Sequence, residues 1–302
     1  MWMKNLTVFV ADTPFSWSVA ELDDLLAKHP CPSCSSQALS AEGFVPPLKD
    51  QDPMVYAVDD VLYLMHKEEA RLLPAAVIRE QVDEKVTFIQ DEEGRKVGRK
   101  EKAEIKEQVV FELLPKAFTT SRRTAVLIDM ARQRILVDTP SANRAEQIIS
   151  ALRKAIGSLP VTYATAKGSP AQAFSQWLQD PKQLPEGFTL GDRCELKGTK
   201  DEGATVRFTA VDLGQDEILA HLQTGMVAVK VNLAWQDALE LDVNDKLEIK
   251  RVRALDTIKE NIDNLDADDA VSELLARISL QAPVLRDSLD ALFHYFGVLD
   301  SE

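Results

Sequence analysis

Two consecutive helical patterns interrupt a chain that otherwise reads as short strands separated by single helices. The first pattern covers 75–89, and the second follows the turn at Gly94 and runs as far as Pro115. Apolar residues recur in both at the three- and four-residue spacing of an amphipathic helix, and proline ends the second because it has no N–H to donate. Residues 74–118 are therefore predicted to form a helical hairpin inserted between segments of a sheet.

Strand patterns lie on both sides of this hairpin. The predicted strands near it are 4–10, 55–58, 61–66, 124–129, 134–138 and 161–163, and the predicted helices are 18–28 and 141–156. The order is β-α-β-β before the hairpin and β-β-α-β after it, which predicts one central α+β domain made of 1–73 and 119–165. Residues 43–47 are expected to be a loop or edge element, and 67–74 are expected to leave the sheet.

The C-terminal part, 166–302, is predicted to be a base α+β domain. Its predicted strands are 194–197, 205–210, 227–235 and 246–252, with a helix at 217–222. From Leu255 onward the pattern is helical and acidic, with eleven Asp and Glu against three Lys and Arg. We interpret this acidic face as solvated surface, with repulsion of nucleic acid as the alternative. The predicted fold class is therefore α+β, with antiparallel or mixed sheets and packed helices.

The composition is that of an ordinary soluble globular protein, with 45% hydrophobic and 28% charged residues. No run of about 18 apolar residues is present, so no transmembrane helix is predicted. The first residues lead into a strand pattern rather than the apolar core of a signal peptide, and three cysteines do not make a disulfide framework. We therefore expect a cytoplasmic protein with no membrane partner.

One segment is basic although the whole chain carries a net charge of −14. Between Arg95 and Arg123 there are nine Lys and Arg against four Glu, so the segment carries +5 and the remaining residues −19. One interpretation is a solvated helix whose Lys and Glu side chains pair one turn apart. The other is that one face of the segment meets a phosphate backbone. The strong acidity argues against nucleic-acid binding over the whole surface, but not against a local basic lining.

Catalytic motifs are absent from the sequence. It has no phosphate-binding glycine loop, no dinucleotide fingerprint and no nucleophile elbow, and its four histidines are not at metal-ligand spacing. Cys31 and Cys34 form a lone C-x-x-C, which we interpret as structural because no second pair of zinc ligands follows. Glu68 and Glu69, together with Asp129, are the candidates for a metal-dependent nuclease. The prediction favoured by the residues is a protein without catalysis, cofactor or metal.

Several ordered blocks resemble the RdgC family, a bacterial family of recombination-associated proteins. They are KNL at 4–6, GFVPP at 43–47, KEEARLLPAAVI at 67–78, LLPKAF at 113–118 and LRKAIGSLPV at 152–161. Looser anchors in the C-terminal half are DLGQDEI at 212–218 and VKVNLAWQ at 229–236. The resemblance covers essentially the whole chain.

The resemblance implies a ring-shaped homodimer whose central, positively lined hole accepts double-stranded DNA. It implies DNA binding with little sequence preference, weaker binding of single strands, and negative regulation of RecA-promoted recombination through occupation of DNA. It also implies no catalysis and a nucleoid-associated place in the cytoplasm. Two alternatives remain open, namely a module that inhibits RecA by direct contact through the acidic C-terminal helices, and a DNA-processing enzyme.

The resemblance also implies roles for individual residues. Phe118 in LLPKAF matches the aromatic residue of the contact between helical tips, whereas the sequence pattern alone also permits a plug in the core. Ala210 and Val211 fall at the base contact, where polar family residues are expected, so we expect this chain to pair there through its backbone. The residues predicted to line the hole are Lys67, Arg71, Arg95, Lys96, Arg99, Lys100, Lys116, Arg122 and Arg123.

Overall fold

The computed structural model describes residues 2–49, 53–199, 203–265 and 267–298. Within these ranges the chain forms twelve β-strands and eight α-helices, which confirms the predicted α+β class. The strands are β1 (Leu6–Ala11), β2 (Ser40–Val45), β3 (Val55–Val58), β4 (Val61–Arg71), β5 (Thr119–Asp129), β6 (Arg134–Asp138), β7 (Val161–Tyr163), β8 (Phe188–Gly198), β9 (Thr205–Thr209), β10 (Met226–Trp235), β11 (Leu239–Asn244) and β12 (Ile249–Ala254). The helices are α1 (Val19–Ala27), α2 (Ala75–Glu93), α3 (Arg99–Leu113), α4 (Ala142–Ile156), α5 (Pro170–Gln179), α6 (Asp216–Gln223), α7 (Asp256–Asp263) and α8 (Ala270–Phe296). Asp266, Asp300 and Glu302 of the acidic tail lie outside the described residues.

The strands form one twelve-stranded antiparallel sheet. Its order is β2-β4-β5-β6-β1-β12-β11-β10-β8-β9, with β3 beside β4 and β7 beside β1. One edge of β1 pairs with β6, and the other edge meets β12 at Leu6 and β7 from Phe9 to Ala11. The sheet therefore divides beside β1, at the point where β12 ends its pairing and β7 begins.

The chain groups into two compact units. The large unit consists of the described residues within Met1–Lys28, Pro46–Met65 and Thr124–Glu302, and the small unit consists of His29–Val45 and His66–Arg123. The small unit holds the helical hairpin together with β2, the end of β4 and the start of β5. The division into tip, central and base domains stays a prediction.

The predicted helical hairpin is present in the small unit as α2 and α3. Val82 of α2 packs against Ile105 and Val109 of α3, and half-buried apolar side chains surround this contact. Gly94 ends α2 with φ 65, a left-handed conformation that glycine adopts without a steric penalty. A short 3₁₀ turn containing Pro115 ends α3, as the sequence predicts.

Ion pairs attach the long helix α8 to the large unit. Arg286 donates to both carboxylate oxygens of Asp129, at 2.7 and 2.8 Å. The buried guanidinium of Arg134 lies 2.6 Å from Asp290 and 4.9 Å from the ring centre of Phe293. Such partners compensate a guanidinium for the water it loses on burial.

The observed strands differ from the sequence-based expectation in several places. β4 continues to Arg71, where the Arg71 N–H donates to the Leu39 carbonyl at 2.7 Å, so the expectation that 67–74 leaves the sheet is wrong for 67–71. β5 starts at Thr119 rather than at Thr124. β2 overlaps the predicted loop or edge element 43–47 and is an edge strand in the order of the sheet, whereas β8 starts at Phe188 rather than at Cys194 and β11 has no predicted counterpart. Charged side chains interrupt the apolar pattern in β4 and β11, and the apolar pattern is the signal on which strand prediction depends.

Candidate nucleic-acid interface

The start of α3 carries three exposed cations, Lys96, Arg99 and Lys100. Within the part of the chain that the structure describes, none of them lies within 4.0 Å of a carboxylate. Arg99 and Lys100 occupy the first turn of α3, where the helix dipole disfavours positive charge. Their position therefore works against the stability of the helix, which favours a function outside the helix.

Arg95, in contrast, is neutralised by neighbours on its own hairpin. Its guanidinium donates to both oxygens of Glu101 at 2.6 and 2.7 Å and to Glu93 at 2.5 Å. The hydrogen bonds from Glu101 and Glu93 raise the pKa of Arg95 further above its ordinary value. For this residue, the interpretation as a solvated ion pair describes the geometry well.

Lys67 and Arg71 at the end of β4 also have partners inside the small unit. Lys67 Nζ lies 2.5 Å from Glu69. The Arg71 guanidinium donates to the backbone carbonyls of Ala117, Ser35 and Cys34 at 2.9, 3.2 and 3.3 Å. Arg71 therefore joins the loop that precedes β2 to Ala117, the residue before Phe118, and fewer of its donors remain for a ligand.

Further exposed cations follow α3 along the chain. Lys116 lies in the 3₁₀ turn, and Arg122 and Arg123 lie in the exposed first part of β5. Lys116 and Arg122 have no carboxylate within 4.0 Å among the residues that the structure describes. Because successive side chains of a strand point to opposite faces, Arg122 and Arg123 serve opposite sides of β5. We refer to Lys96, Arg99, Lys100, Lys116 and Arg122 as the small-unit cations.

The small unit also exposes large apolar side chains. Six of the nine such side chains in the described part of the protein belong to it. Phe118 is 83% exposed, and its carbonyl accepts the N–H of Leu72, which is 53% exposed, at 2.8 Å. The core-plug interpretation of Phe118 is therefore wrong for this chain.

The outer side of α3 continues this apolar surface. A groove of about 490 Å³ is lined by Ala103, Lys106, Glu107, Val110, Phe111 and Leu114. Phe111 is 60% exposed beside it. One apolar side of α3 already packs on α2. A second apolar side on the same helix is typical of a helix that has another packing partner.

The base residues Ala210 and Val211 directly follow β9, the last strand in the order of the sheet. Ala210 is exposed and has φ 57, and the Val211 N–H donates to the Asp192 carbonyl at 3.2 Å. An edge strand presents unpaired backbone groups that another strand can bind. The geometry is compatible with backbone pairing at this edge.

The large unit carries a second basic surface, which the sequence analysis misses. The helices α5 and α6 pack on one face of β8–β12, where Phe208 of β9 contacts His221 of α6. The second basic surface is the opposite face. We call it the basic sheet face, and its cations are Arg193, Lys197, Arg207, Lys230, Lys250, Arg251 and Arg253. Arg251 has φ 54 at an irregularity in the pairing of β11 and β12, a position at which bulges often redirect a functional side chain.

Carboxylates lie beneath the guanidinium groups of this face. Asp242 is almost fully buried, with Lys230 Nζ at 3.1 Å and Arg193 at 3.2 Å. Burial raises the pKa of Glu240, but hydrogen bonds from Arg253 and Arg193 outweigh it and leave the pKa below its ordinary value. The anions thus form the lower layer and the cations the upper layer. The sequence contains one signal for this face, because Lys250, Arg251 and Arg253 are interspersed among the apolar residues of β12.

The candidates for catalysis have structural partners. Arg286 binds Asp129 in a bidentate pair, and Glu69 accepts the Cys34 N–H at 3.2 Å besides pairing with Lys67. Cys34 Sγ lies 3.4 Å from the Ala38 carbonyl, and burial raises the pKa of the Cys31 thiol. In the described ranges, no three Asp, Glu, His or Cys side chains are grouped so that they could hold a metal ion.

No α-helix in the described part of the chain has the length and apolar character needed to cross a bilayer.

The family model "RdgC: Putative exonuclease, RdgC" matches residues 1–299. The "Recombination-associated protein RdgC" of Pseudomonas syringae pv. syringae (strain B728a) is 37% identical over 301 residues, covering 98% of this chain and 97% of that protein. Proteins of the same description are 36% identical over 301 residues in Shewanella sp. (strain MR-4), covering 99% of both chains, and 33% identical over 298 residues in Proteus mirabilis (strain HI4320), covering 98% of both.

Proposed function

The chain belongs to the RdgC family of recombination-associated proteins, and from this premise we propose that it encircles duplex DNA as a ring-shaped homodimer and restrains RecA by occupying that DNA. The observation that carries the proposal is the group of small-unit cations. They are exposed and unpaired within the described residues, although the protein as a whole carries −14. Unpaired cations on an acidic protein are a local site for a polyanion.

The proposed binding involves no base-specific contacts. Lys and Arg side chains replace the counterions condensed on the phosphate backbone, and the released counterions supply the affinity. Contacts to phosphate fix the position of the protein but carry no sequence information. Single strands have a lower charge density and are bound more weakly. The basic sheet face adds further phosphate contacts in this proposal, while Arg95 and Arg71 contribute less because their donors are already used.

Two contacts would close the ring. At one end, Phe118 and the α3 groove beside Phe111 would pack against the same surface of a second copy, since these apolar side chains are exposed in one chain. At the other end, the edge of β9 near Ala210 and Val211 would pair with its copy through the backbone. A two-fold interface uses the same patch on both subunits, which suits both contacts.

Duplex binding against salt concentration tests the DNA site. The test variant is Lys100→Ala/Lys116→Ala/Arg122→Ala, and the matched control is Lys85→Ala/Lys102→Ala/Arg277→Ala, which removes three cations that pair with Glu112, Asp83 and Glu273. Both variants lose the same net charge. We expect the test variant alone to lose affinity and to flatten the log–log salt slope by about 5 units, because the homodimer loses six cations. Equal behaviour of the two variants would place the DNA elsewhere.

Inhibition of RecA-promoted strand exchange, measured with the same proteins, tests occupancy. If inhibition survives in the variant that no longer binds duplex, the direct-contact alternative through the acidic C-terminal helices replaces occupancy. A pull-down of RecA without DNA then provides the second readout.

The description of the family model makes a nuclease the second candidate function. The sequence-based carboxylate candidates for this function are Glu68, Glu69 and Asp129, but within the described ranges they are not grouped so that they could hold a metal ion together. The test is Mg²⁺-dependent release of nucleotides from the ends of a labelled duplex, by wild type and Glu68→Ala. Release by wild type and its loss in the variant would establish this function, whereas the same release by both proteins would indicate a contaminating nuclease.

A further inference from the structure

The large unit contains an acidic cleft, which borders the basic sheet face at the ion pair of Glu248 with Lys250. It has a volume of about 620 Å³ and opens where the sheet divides beside β1, between the end of β7 and the turn that joins β11 to β12. Its walls come from the first turns of α4 and α5 and from that turn. The size lies within the range of sites that bind small molecules or peptide side chains.

The charged groups of the cleft are mostly acidic. Glu146, Asp245 and Glu248 stand against a single ammonium, that of Lys246. Glu248 is held by Lys250 at 2.8 Å and by Asn244 at 2.9 Å. Glu146 and Asp245 have no ion-pair partner among the described residues. Because the cleft repels phosphate, nucleic acid is an unsuitable ligand here.

Tyr163 forms the aromatic wall of the cleft and is held in place. Its ring stacks on Phe9 with the centroids 4.5 Å apart, and its hydroxyl donates to the Ala142 carbonyl at 3.1 Å. The ring is still 36% exposed. Burial, together with the nearby Glu146 and Glu248, raises the pKa of Tyr163 to about 12, so the hydroxyl stays a neutral donor at physiological pH. A fixed ring beside carboxylates is a favourable environment for a cation.

The remaining wall consists of small or apolar residues, which suit an aliphatic stem. They are Ala142, Ala164, Ala166, Gly168, Pro170 and Leu247. Lysine and arginine combine such a stem with a charged end.

The backbone of β7 distinguishes a peptide from a free cation. The Ala164 N–H donates to the Val8 carbonyl, and the Asp12 N–H donates to the Pro160 carbonyl. The backbone hydrogen-bonding groups of residues 160, 162 and 164 therefore face β1. The N–H and C=O of Tyr163 therefore point away from β1, and the C=O also accepts the Thr165 hydroxyl at 3.1 Å, which leaves one of its lone pairs for a further donor. An extended peptide can bind such an edge through its main chain.

We propose that this cleft binds an extended segment of a partner protein and takes one of its arginine or lysine side chains between Tyr163 and Glu146. The main chain of the segment lies along the outer edge of β7, and the stem of the basic side chain lies against the alanines. The site acts independently of DNA binding, and it gives the protein a docking point for a basic partner while the small-unit cations hold DNA.

The test uses two peptides of one sequence, acetyl-Ala-Val-Arg-Val-Ala-amide and the same peptide with citrulline in place of arginine. Binding to the full-length protein without DNA is measured by saturation-transfer difference NMR, with dissociation constants from titration. We expect the arginine peptide to bind wild type at least about tenfold more tightly than the citrulline peptide, because citrulline has nearly the same shape but no charge. Equal binding of the two peptides would overturn the proposal.

Two variants locate the site. Glu146→Gln keeps the shape of an exposed side chain and should weaken the arginine peptide about threefold or more, while the matched Glu217→Gln on α6 should leave it unchanged. Unchanged affinity in Glu146→Gln would overturn the proposal. So would binding of spermidine, but of neither peptide, at a site lost in Glu146→Gln, because that result would identify a polyamine site. Duplex binding by Glu146→Gln should equal wild type, and its loss would assign the cleft to DNA instead.

Discussion

Arg193 and Arg207 lie on the same face of the sheet, but their side chains differ greatly in exposure, at 17% and 72%. Arg193 donates to Glu240 and to the buried Asp242, whereas Arg207 pairs with Glu195 at the surface. Arg193→Met would leave buried carboxylates with too few partners, and we expect it to lower the free energy of unfolding by about 3 kcal/mol. Arg207→Met, the matched control, should leave it unchanged. Urea denaturation followed by tryptophan fluorescence measures both, and similar losses would contradict the layered arrangement of charges.

Arg71 and Arg122 are a second pair that the sequence cannot distinguish. Arg71 donates to three backbone carbonyls, while Arg122 is exposed and unpaired among the described residues. We expect Arg71→Leu to destabilise the protein by about 1–3 kcal/mol, because carbonyls lose their donor. Arg122→Leu should leave the urea midpoint unchanged and reduce the salt slope of duplex binding by about 2 units, because the homodimer loses two cations. If Arg71→Leu instead changed only the salt slope, its guanidinium would be a DNA contact as the family resemblance implies.

At the scale of elements, the sequence predicts best where apolar periodicity decides the structure. β6 matches its predicted range 134–138. The predicted helix 141–156 is present as α4, which begins one residue later because Ser141 caps it through a hydroxyl that accepts the Arg144 N–H. β11 alternates strictly, but Glu240 and Asp242 occupy its inner polar positions, and acidic residues disfavour strands. The compensating charge comes from Arg253 on the next strand and from Arg193 on β8, which is 47 residues from Glu240. Such tertiary compensation cannot be read from a local window.

The same limit applies to the candidate site. The basic segment is visible in the sequence as a composition, but its division into paired and unpaired cations depends on contacts between α2 and α3, such as Lys102 with Asp83 at 2.7 Å. The exposure of Phe118 was implied by the family resemblance and not by the pattern. Phe111 follows two valines in a helix and reads as core, yet it lies on the outer side of α3.

The outer side of α3 yields a prediction for assembly. If Phe118 and Phe111 pack against a second copy, Phe118→Ala and Phe111→Ser should each shift the protein toward monomer, because buried aromatic side chains supply much of the energy of an interface. Neither variant should lower the melting temperature of the monomer, since both rings are exposed in one chain. Sedimentation velocity over a concentration series measures the shift. Phe88→Ser, an exposed aromatic of α2, is the control, and dissociation in this variant alone would place the interface on α2.

At the scale of the whole molecule, the distribution of charge matters more than its sum. The acidic tail and the cleft at Tyr163 repel phosphate, whereas the small-unit cations and the basic sheet face attract it. Repulsion at the wrong surfaces confines a polyanion to the right ones without any base-specific contact. A net charge of −14 is therefore compatible with DNA binding at a local basic surface.

A closed ring would separate retention on DNA from affinity for DNA. A protein held by phosphate contacts alone leaves linear and circular duplexes at the same rate, because the contacts are the same. A ring leaves a circle only by opening one of its contacts, whereas it can slide off the end of a linear duplex.

We therefore expect that, after transfer to raised salt with excess competitor, the protein dissociates more slowly from a relaxed circular plasmid than from the same plasmid cut once. Blocking both ends of the linear duplex with a bound protein should restore slow release. Phe118→Ala, which opens the proposed tip contact but retains the small-unit cations, should release both forms at one rate and keep a steep salt slope. Equal release from circle and line by wild type would mean that the cations bind DNA without enclosing it.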